Sequence, residues 1–249
     1  MISIDGNSLT LDEVVRVARQ RETVEISPAG RQQLAASRAI VDKLLDSAKP
    51  VYGISTGFGN LSQIWISPEE REALQRNLIL SHAAGVGDYL PEDVVRTAML
   101  MRANSLVKGY SGIRPVTVEM LLELLNRGVY PAVPSKGSVG ASGDLSPLSH
   151  IALVLMGEGK AFVAGKLVTG AEALAAVGLF PVAFAAKEGL ALINGTQIMT
   201  AVGALVVHDA ALLMKAADIA AAMSLEALRG TRTAYDERIG RIRPHPGQL

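Results

Sequence analysis

Residues 135–147 form the stretch of this sequence whose residue types could do chemistry. It reads Ser-Lys-Gly-Ser-Val-Gly-Ala-Ser-Gly-Asp-Leu-Ser-Pro and places three glycines within seven residues, at positions 137, 140 and 143. Glycine allows backbone conformations in which a side chain would clash. Two serines, Ser138 and Ser142, lie among these glycines, and Asp144 follows them directly. We therefore expect a tightly bent loop that presents small polar groups ahead of an apolar segment.

Three kinds of site could use such a loop. A glycine loop at a helix start can bind phosphate through its backbone N–H groups, but the G-x-x-x-x-G-K-[ST] pattern is absent. A serine-nucleophile elbow needs G-x-S-x-G, and Asp144 stands where the last glycine belongs. The loop could also be a turn that caps a helix through Ser142 or Asp144. The residues alone do not decide between chemistry and capping.

Three side chains outside the loop have ordinary structural interpretations when taken singly. Tyr52 is the second residue of another glycine-rich segment, residues 51–60, and could be a packed tyrosine. Asn194 precedes Gly195, and this dipeptide is typical of turns. His82 follows Ser81 at the end of a predicted helix, where the helix dipole favours a histidine. The histidines at positions 150, 208 and 245 have no metal-ligand spacing with carboxylates, so no metal site is expected.

The elements that position these residues are predicted to be mainly α-helical. Aromatic residues make up only 4% of a sequence that is 49% hydrophobic, which favours close helix packing over a β-sandwich. Capping and proline signals predict a helix that starts at Asp12 with Thr10 as its cap, and further helices over residues 28–47, 67–81, 91–107, 115–126, 147–156, 171–177 and 196–228. Turn signals predict two small hairpins, residues 2–11 and 161–168.

The last predicted helix, residues 196–228, is apolar on nearly every side. Such a helix is usually surrounded by protein, and little chain follows it here, so we expect further sequence, partner subunits or both to cover it. The predicted fold class is mainly α. Residues 1–195 are predicted to form an N-terminal globular domain with small hairpins and the glycine-rich loop, and residues 196–249 to begin a truncated central bundle of long helices.

Composition argues against several classes of partner. The formal net charge is zero, so no electrostatic footprint for nucleic acid or an anionic membrane is present. The sequence has no cysteine, which excludes a disulfide framework and a thiolate metal site within it. The N-terminus lacks the pattern of a secretory signal, and no clean apolar run of roughly 20 residues is present. We expect a cytoplasmic protein that does not bind membranes.

Several motifs together indicate a family. Residues 140–145, Gly-Ala-Ser-Gly-Asp-Leu, with Gly-Ser-Val before them and Pro-Leu shortly after, resemble the signature of the aromatic amino acid ammonia-lyase and aminomutase family. The similarity continues through residues 52–59, 77–87, 104–114 and 187–197 in the family's order, and it is greatest to members that act on histidine. Family members are longer, so the chain resembles their N-terminal half and is expected to be nearly inactive alone.

The resemblance implies that Ala141, Ser142 and Gly143 cyclise without an external cofactor into 4-methylidene-imidazol-5-one, an electrophilic prosthetic group. The residue types suit this reaction, because the backbone must bend tightly and Ser142 must lose its hydroxyl as water. Asp144 is implied to assist maturation by moving a proton, although helix capping is an equal alternative for it. An electrophile of this kind is needed because none of the twenty side chains is strongly electrophilic.

The resemblance also implies roles for residues elsewhere in the chain. Tyr52 matches the family's base for the β-proton of the substrate, and Asn194 matches the asparagine that contacts the prosthetic group and the substrate. Ser81, His82 and Gly59 match substrate-binding positions. His82 can hydrogen-bond an imidazole or a phenol, so it does not separate histidine from tyrosine as the substrate.

The implied reaction is elimination of ammonia from L-histidine to give trans-urocanate, with the active site shared between subunits of a homotetramer. Tyrosine ammonia-lyase and tyrosine 2,3-aminomutase activities are alternatives within the same chemistry. A non-catalytic relative with an unmatured loop is an alternative of another class. In each enzymatic case the expected ligand is a small aromatic amino acid.

Overall fold

A computed structural model describes residues 1–46, 50–57, 59 and 64–247 of the chain. Its helices are α1 (Leu11–Gln20), α2 (Pro28–Asp46), α3 (Arg71–His82), α4 (Glu92–Val107), α5 (Pro115–Asn126), α6 (Leu145–Leu155), α7 (Gly170–Ala176), α8 (Glu188–Ile193), α9 (Gln197–Ala227) and α10 (Glu237–Ile242). Its strands are β1 (Ile2–Ile4), β2 (Val24–Ile26), β3 (Val86–Tyr89), β4 (Val129–Pro131), β5 (Pro134–Lys136), β6 (Lys160–Val163) and β7 (Lys166–Thr169). The predicted fold class, mainly α with small strands, is confirmed.

Two compact units divide the chain, Met1–Leu205 and Val206–Leu249. The division falls inside α9, whereas the predicted domain boundary lies just before that helix, at residues 195 and 196. The predicted boundary stays a prediction.

Helix α4 is the centre of the first unit's core. Its residues Val95, Ala98 and Leu106 are fully buried, and the core extends from them onto α5 and α6. Arg96 lies on the same helix and is only 1% exposed. Its guanidinium donates to the carbonyl oxygens of Val17 and Leu125, which lie at the ends of α1 and α5. Helix ends leave carbonyl groups without intrahelical partners, so this buried cation joins three helices.

The N-terminal segment differs from its prediction. Thr10 caps α1 in a capping box with Glu13, as predicted, but residues 2–11 do not form a hairpin. Instead, β1 pairs in parallel with β2, with Ile2 opposite Val24. The Asp5 carboxylate accepts the N–H groups of Asn7 and Ser8 and makes the expected turn. That turn leads into α1, and β2 follows α1 and pairs with β1. Parallel strands need such a crossover element between them.

Two further small sheets lie in the first unit. The predicted hairpin at residues 161–168 is confirmed as β6 and β7, with positive φ values at Ala164 and Gly165 in its turn. Strand β4 extends this hairpin to three strands. Strands β3 and β5 pair with each other and were not predicted. Of the second glycine-rich segment, residues 52–55 form a turn, and Thr56 bridges to Trp65. Residues 58 and 60 lie outside the described residues.

The predicted long helix is confirmed as α9. Its N-terminal part is anchored in the first unit by Ile198, Ala201 and Leu205, which are buried. Further along, large apolar side chains including Leu213 and Met223 are more than 60% exposed. The helical run Glu188–Ala227 has an 18-residue window of mean hydropathy 1.7. Length and composition alone would let it cross a membrane, and the core helix of a soluble protein has the same properties. The expected absence of a membrane partner therefore stays a prediction.

Candidate functional site

The glycine-rich loop connects β5 to α6 and has a left-handed backbone conformation at Gly143. This residue has φ +98°, a conformation that side chains rarely allow. A Cβ atom added there would lie 2.4 Å from the carbonyl oxygen of Gly195. Gly140 also has a positive φ, +69°, but a Cβ atom there would meet open space. Glycine is therefore required at position 143 for two independent reasons, conformation and close approach.

Asp144 ties the loop to the start of α9. Its carboxylate is buried and accepts the N–H groups of Ile198 and Met199 on one oxygen and the Ser138 hydroxyl on the other. Its backbone N–H donates to the Gly195 carbonyl oxygen at 2.6 Å. A carboxylate at a helix N-terminus is favoured by the orphan N–H groups and the helix dipole.

The helix that Asp144 caps differs from the helix that follows the loop. Asp144 occupies the N-cap position of α6 but makes no side-chain capping bond to that helix. Capping was one of the interpretations left open from the sequence. The Asp144 carboxylate instead caps α9, which begins more than fifty residues later in the chain. Local sequence patterns could not reveal a contact over that separation.

The Ser142 hydroxyl and the Asn194 side chain meet at the exposed side of the loop. The Asn194 amide Nδ2 donates to Ser142 Oγ at 3.2 Å. Asn194 directly follows α8, and its backbone N–H still bonds back to the Leu190 carbonyl oxygen. The end of α8 therefore delivers an amide to the one serine hydroxyl that the family resemblance singles out.

A buried glutamate holds α8 in place. Glu188, the first residue of α8, is 0% exposed and accepts five hydrogen bonds. The donors are the backbone N–H, Nε and Nη2 of Arg114, the Thr117 hydroxyl and the Ala185 N–H. The carboxylate raises the pKa of the Arg114 guanidinium, mainly through the hydrogen bonds between them. Because these bonds satisfy the buried charge, α8 is fixed against the start of α5.

Arg102 of α4 lies beside the Asn194–Gly195 turn and was missed from the sequence. Its Nη1 donates to Gln197 Oε1 at 2.9 Å, and its Nη2 donates to the Ala191 carbonyl oxygen. Burial lowers the pKa of this guanidinium to about 10. The available signal was that Arg102, like Arg96, lies inside the apolar run of α4, which is an unusual place for a charge.

Ser81 and His82 lie at the C-terminal end of α3. Ser81 Oγ donates to the Leu78 carbonyl oxygen at 2.9 Å, and His82 Nδ1 lies 2.8 Å from the same oxygen. A carbonyl oxygen only accepts, so Nδ1 donates in this contact, and in the neutral ring this leaves Nε2 as the acceptor. The chain then turns at Gly85, whose Cα lies 3.2 Å from the position that a Cβ atom on Gly137 would take. The end of α3 therefore lies against the base of the loop.

His150 of α6 stabilises this junction and gives a prediction on pH. Its Nε2 accepts the Gly85 N–H at 3.2 Å, and burial lowers its pKa below the ordinary value of 6.5. Unfolded chains therefore bind the proton more tightly than the folded chain. This contribution to stability is complete above pH 6.5 and is lost as the pH falls towards the lowered pKa of the folded state.

We expect the unfolding free energy of the wild type to decrease on acidification below about pH 6.5 with a slope of at most one proton per molecule. His150→Gln keeps an acceptor near Gly85 but removes the titration, so the wild type should lose stability relative to the variant as the pH falls below about 6.5. Urea denaturation between about pH 5 and about pH 8 measures this. A constant difference across that range would contradict the prediction.

Tyr52 and Gly59 lie on a separate segment. The Tyr52 side chain is 57% exposed at the turn 52–55. Gly59 is exposed, and apart from its chain neighbours no atom of the described residues lies within 4 Å of the place where its Cβ would be. Hydrogen bonds thus bring together Ser142, Asp144 and the 194–199 segment. The roles of Tyr52, Gly59, Ser81 and His82 stay predictions.

Comparison with known proteins places this geometry in context. The aromatic amino acid lyase family model matches residues 9–249. A curated histidine ammonia-lyase from Alkaliphilus oremlandii is 56% identical over 248 residues, which is 100% of this chain and 49% of that protein. A histidine ammonia-lyase from Caldanaerobacter subterraneus is 52% identical with the same coverage. The chain therefore spans about half the length of the curated relatives it matches.

Solved structures agree in fold. Histidine ammonia-lyase from Trypanosoma cruzi superposes with a TM-score of 0.91 at 42% identity, covering 98% of this chain and 47% of that one. Tyrosine aminomutase from Streptomyces globisporus gives a TM-score of 0.87 at 40% identity, covering 94% of this chain and 44% of that one. The chain is therefore similar in structure both to a histidine ammonia-lyase and to a tyrosine aminomutase, which differ by name in substrate and in reaction.

Proposed function

This chain belongs to the aromatic amino acid lyase family, and we propose from that premise that it carries the electrophile-forming part of an ammonia-lyase that converts L-histidine to trans-urocanate and ammonia. The observation that carries the proposal is the contact of Asn194 with Ser142 on a loop whose bend requires glycine at position 143. The names of the relatives at 52–56% identity support histidine as the substrate.

The loop fits the proposed prosthetic group, 4-methylidene-imidazol-5-one. Ring formation would join the Gly143 amide nitrogen to the Ala141 carbonyl carbon and release one water, and loss of the Ser142 hydroxyl with its α-hydrogen would release a second. Gly143 has no side chain to obstruct this bond, and the loop is already bent there. Once formed, the group supplies an electrophilic carbon that makes the substrate's amino group a better leaving group.

The surrounding residues have proposed roles that follow from their chemistry. Asn194 would hold the Ser142 hydroxyl before it leaves as water and would then orient the substrate through its amide. Asp144 would keep the loop docked on the start of α9. Tyr52 would remove the β-proton of the substrate. His82, with Nε2 as an acceptor, would receive a hydrogen bond from a ring N–H or a phenol, while Ser81 and Gly59 would line the substrate site.

The substrate is a small aromatic amino acid, and the active enzyme is proposed to be a homotetramer in which subunits share each site. The exposed apolar side chains of α9 support an assembly, because large apolar surfaces on soluble proteins mark interaction sites. Tyrosine ammonia-lyase or tyrosine 2,3-aminomutase activity is the second candidate, and the similarity to tyrosine aminomutase favours it.

Mass spectrometry of the purified chain tests the proposed electrophile. We expect the intact mass to be two waters below the encoded value, with the deficit located in the peptide that contains residues 141–143. Ser142→Ala removes the hydroxyl that must leave and should not show the full deficit. An unmodified wild-type mass would contradict maturation in this chain, and would support either the non-catalytic alternative or failure to mature without the rest of the protein.

Product analysis tests the substrate. The chain is co-expressed with the part of the Alkaliphilus oremlandii enzyme that lies beyond the matched region, and the pair is given L-histidine, L-tyrosine or L-phenylalanine. Urocanate as the main product, formed by the wild-type pair and abolished by Ser142→Ala, is the expected result. Coumarate or β-tyrosine as the main product would overturn the histidine assignment and establish the second candidate.

A further inference from the structure

A buried arginine supports the segment that carries Asn194. Arg102 bonds to Ala191 on one side of Asn194 and to Gln197 on the other. Gln197 in turn donates through Nε2 to the Ser105 hydroxyl, one turn further along α4. The guanidinium therefore holds both ends of residues 191–197 to α4, the central helix of the core.

This arrangement is costly for a side chain that served stability alone. Arg102 is only 6% exposed, and its Nε–H has no hydrogen-bond partner within the described part of the chain. No carboxylate of the described residues forms an ion pair with it. A protein with a buried charge that lacks such a partner is usually less stable than one with an apolar residue of similar size at that position. What Arg102 does contribute is geometry, since its planar fork can hold two acceptors in fixed positions.

The same guanidinium lies against the backbone on which the loop rests. A Cβ atom on Gly195 would lie 2.3 Å from Arg102 Nη1, and a Cβ atom on Gly143 would lie 2.4 Å from the Gly195 carbonyl oxygen. That oxygen also accepts the Asp144 N–H. Arg102 thus lies against Gly195, and Gly195 in turn lies against Gly143.

We propose that Arg102 is a positioning residue for the electrophile-forming loop, which it sets through the Asn194–Gly195 turn. The inference rests on the proposed function, because it assigns Arg102 a part in forming the prosthetic group from residues 141–143. It requires no contact between Arg102 and the substrate.

The test uses two readouts on the full chain. The first is amide hydrogen exchange at Asp144, whose N–H is held by Gly195 and reports the docked turn whether or not the ring has formed. The second is the fraction of chain with the two-water mass deficit at fixed times after its synthesis by cell-free translation. In Arg102→Met we expect exchange at Asp144 to be faster and ring formation to be at least about tenfold slower, since a displacement of ~1 Å can cost about 100-fold in rate. Arg102→Lys should recover part of both.

Arg96→Met is the matched control, because Arg96 lies on the same helix, is also buried and also bonds to carbonyl oxygens. It should lower overall stability without changing either loop readout in the fraction that is folded. Should Arg102→Met fail to fold, Gln197→Met removes one acceptor and leaves the cation in place, with the same expected direction.

Unchanged exchange at Asp144 in the Arg102 or Gln197 variants, or an equal change in the Arg96 variant, would overturn the proposal. A wild-type chain without the mass deficit would contradict the proposed electrophile but not the positioning role, which the exchange readout still decides. The two failures are therefore distinguishable.

Discussion

Gly143→Ala should abolish ring formation in this chain. A side chain at φ +98° is strained by about 1–3 kcal/mol, and its Cβ would lie 2.4 Å from the Gly195 carbonyl oxygen. Relief of that contact must move the loop away from the turn, which breaks the bond from the Asp144 N–H and separates Ser142 from Asn194. We expect no detectable two-water deficit in the mass of the variant.

Gly140→Ala is the matched control for this prediction. It lies in the same loop and also has a positive φ, but its added Cβ would meet open space. Conformational strain of about 1 kcal/mol is therefore the main expected effect, and the mass deficit should persist. Maturation of Gly143→Ala at the wild-type rate would show that the close approach to Gly195 has no part in ring formation.

Glu188→Ala should cause the largest loss of stability. The substitution removes an acceptor of five hydrogen bonds and leaves the Thr117 hydroxyl, the Ala185 N–H and the Arg114 guanidinium without it. Breaking a buried ion pair by removal of one partner costs about 3–5 kcal/mol. Because Arg114 keeps some contact with solvent, we expect a value near the lower end, measured by urea denaturation.

Two variants show whether the buried network is responsible. Glu188→Gln keeps the shape and some acceptor capacity, so it should cost less than Glu188→Ala. Glu158→Gln breaks the Arg76–Glu158 pair, which is partly exposed, and should cost less than about 1 kcal/mol. Equal losses in Glu188→Ala and Glu158→Gln would contradict the importance of burial. Since α8 carries Asn194, a destabilised Glu188→Ala chain should also form the ring more slowly.

Local signals predicted most helices because their causes are local. Thr10 and Glu13 form the capping box that starts α1, and Pro115 stands at the start of α5. The Ala164–Gly165 turn joins the predicted hairpin. The predicted hairpin over residues 2–11 was wrong, because a turn at its centre is compatible both with a hairpin and with a strand that leads into a helix. The Asp5–Gly6 turn is present, yet it leads into α1, because the partner of β1 lies beyond that helix.

The glycine-rich loop, residues 135–147, shows the same division. Its sequence by itself determined the family and the residues available for cyclisation, since these depend only on residue types and their order. The tertiary structure alone decided that Asp144 caps α9, that Gly143 presses on Gly195, and that Arg102 lies behind that turn. Each of these contacts joins residues more than forty positions apart in sequence, and only folding of the core brings them within hydrogen-bond distance or van der Waals contact.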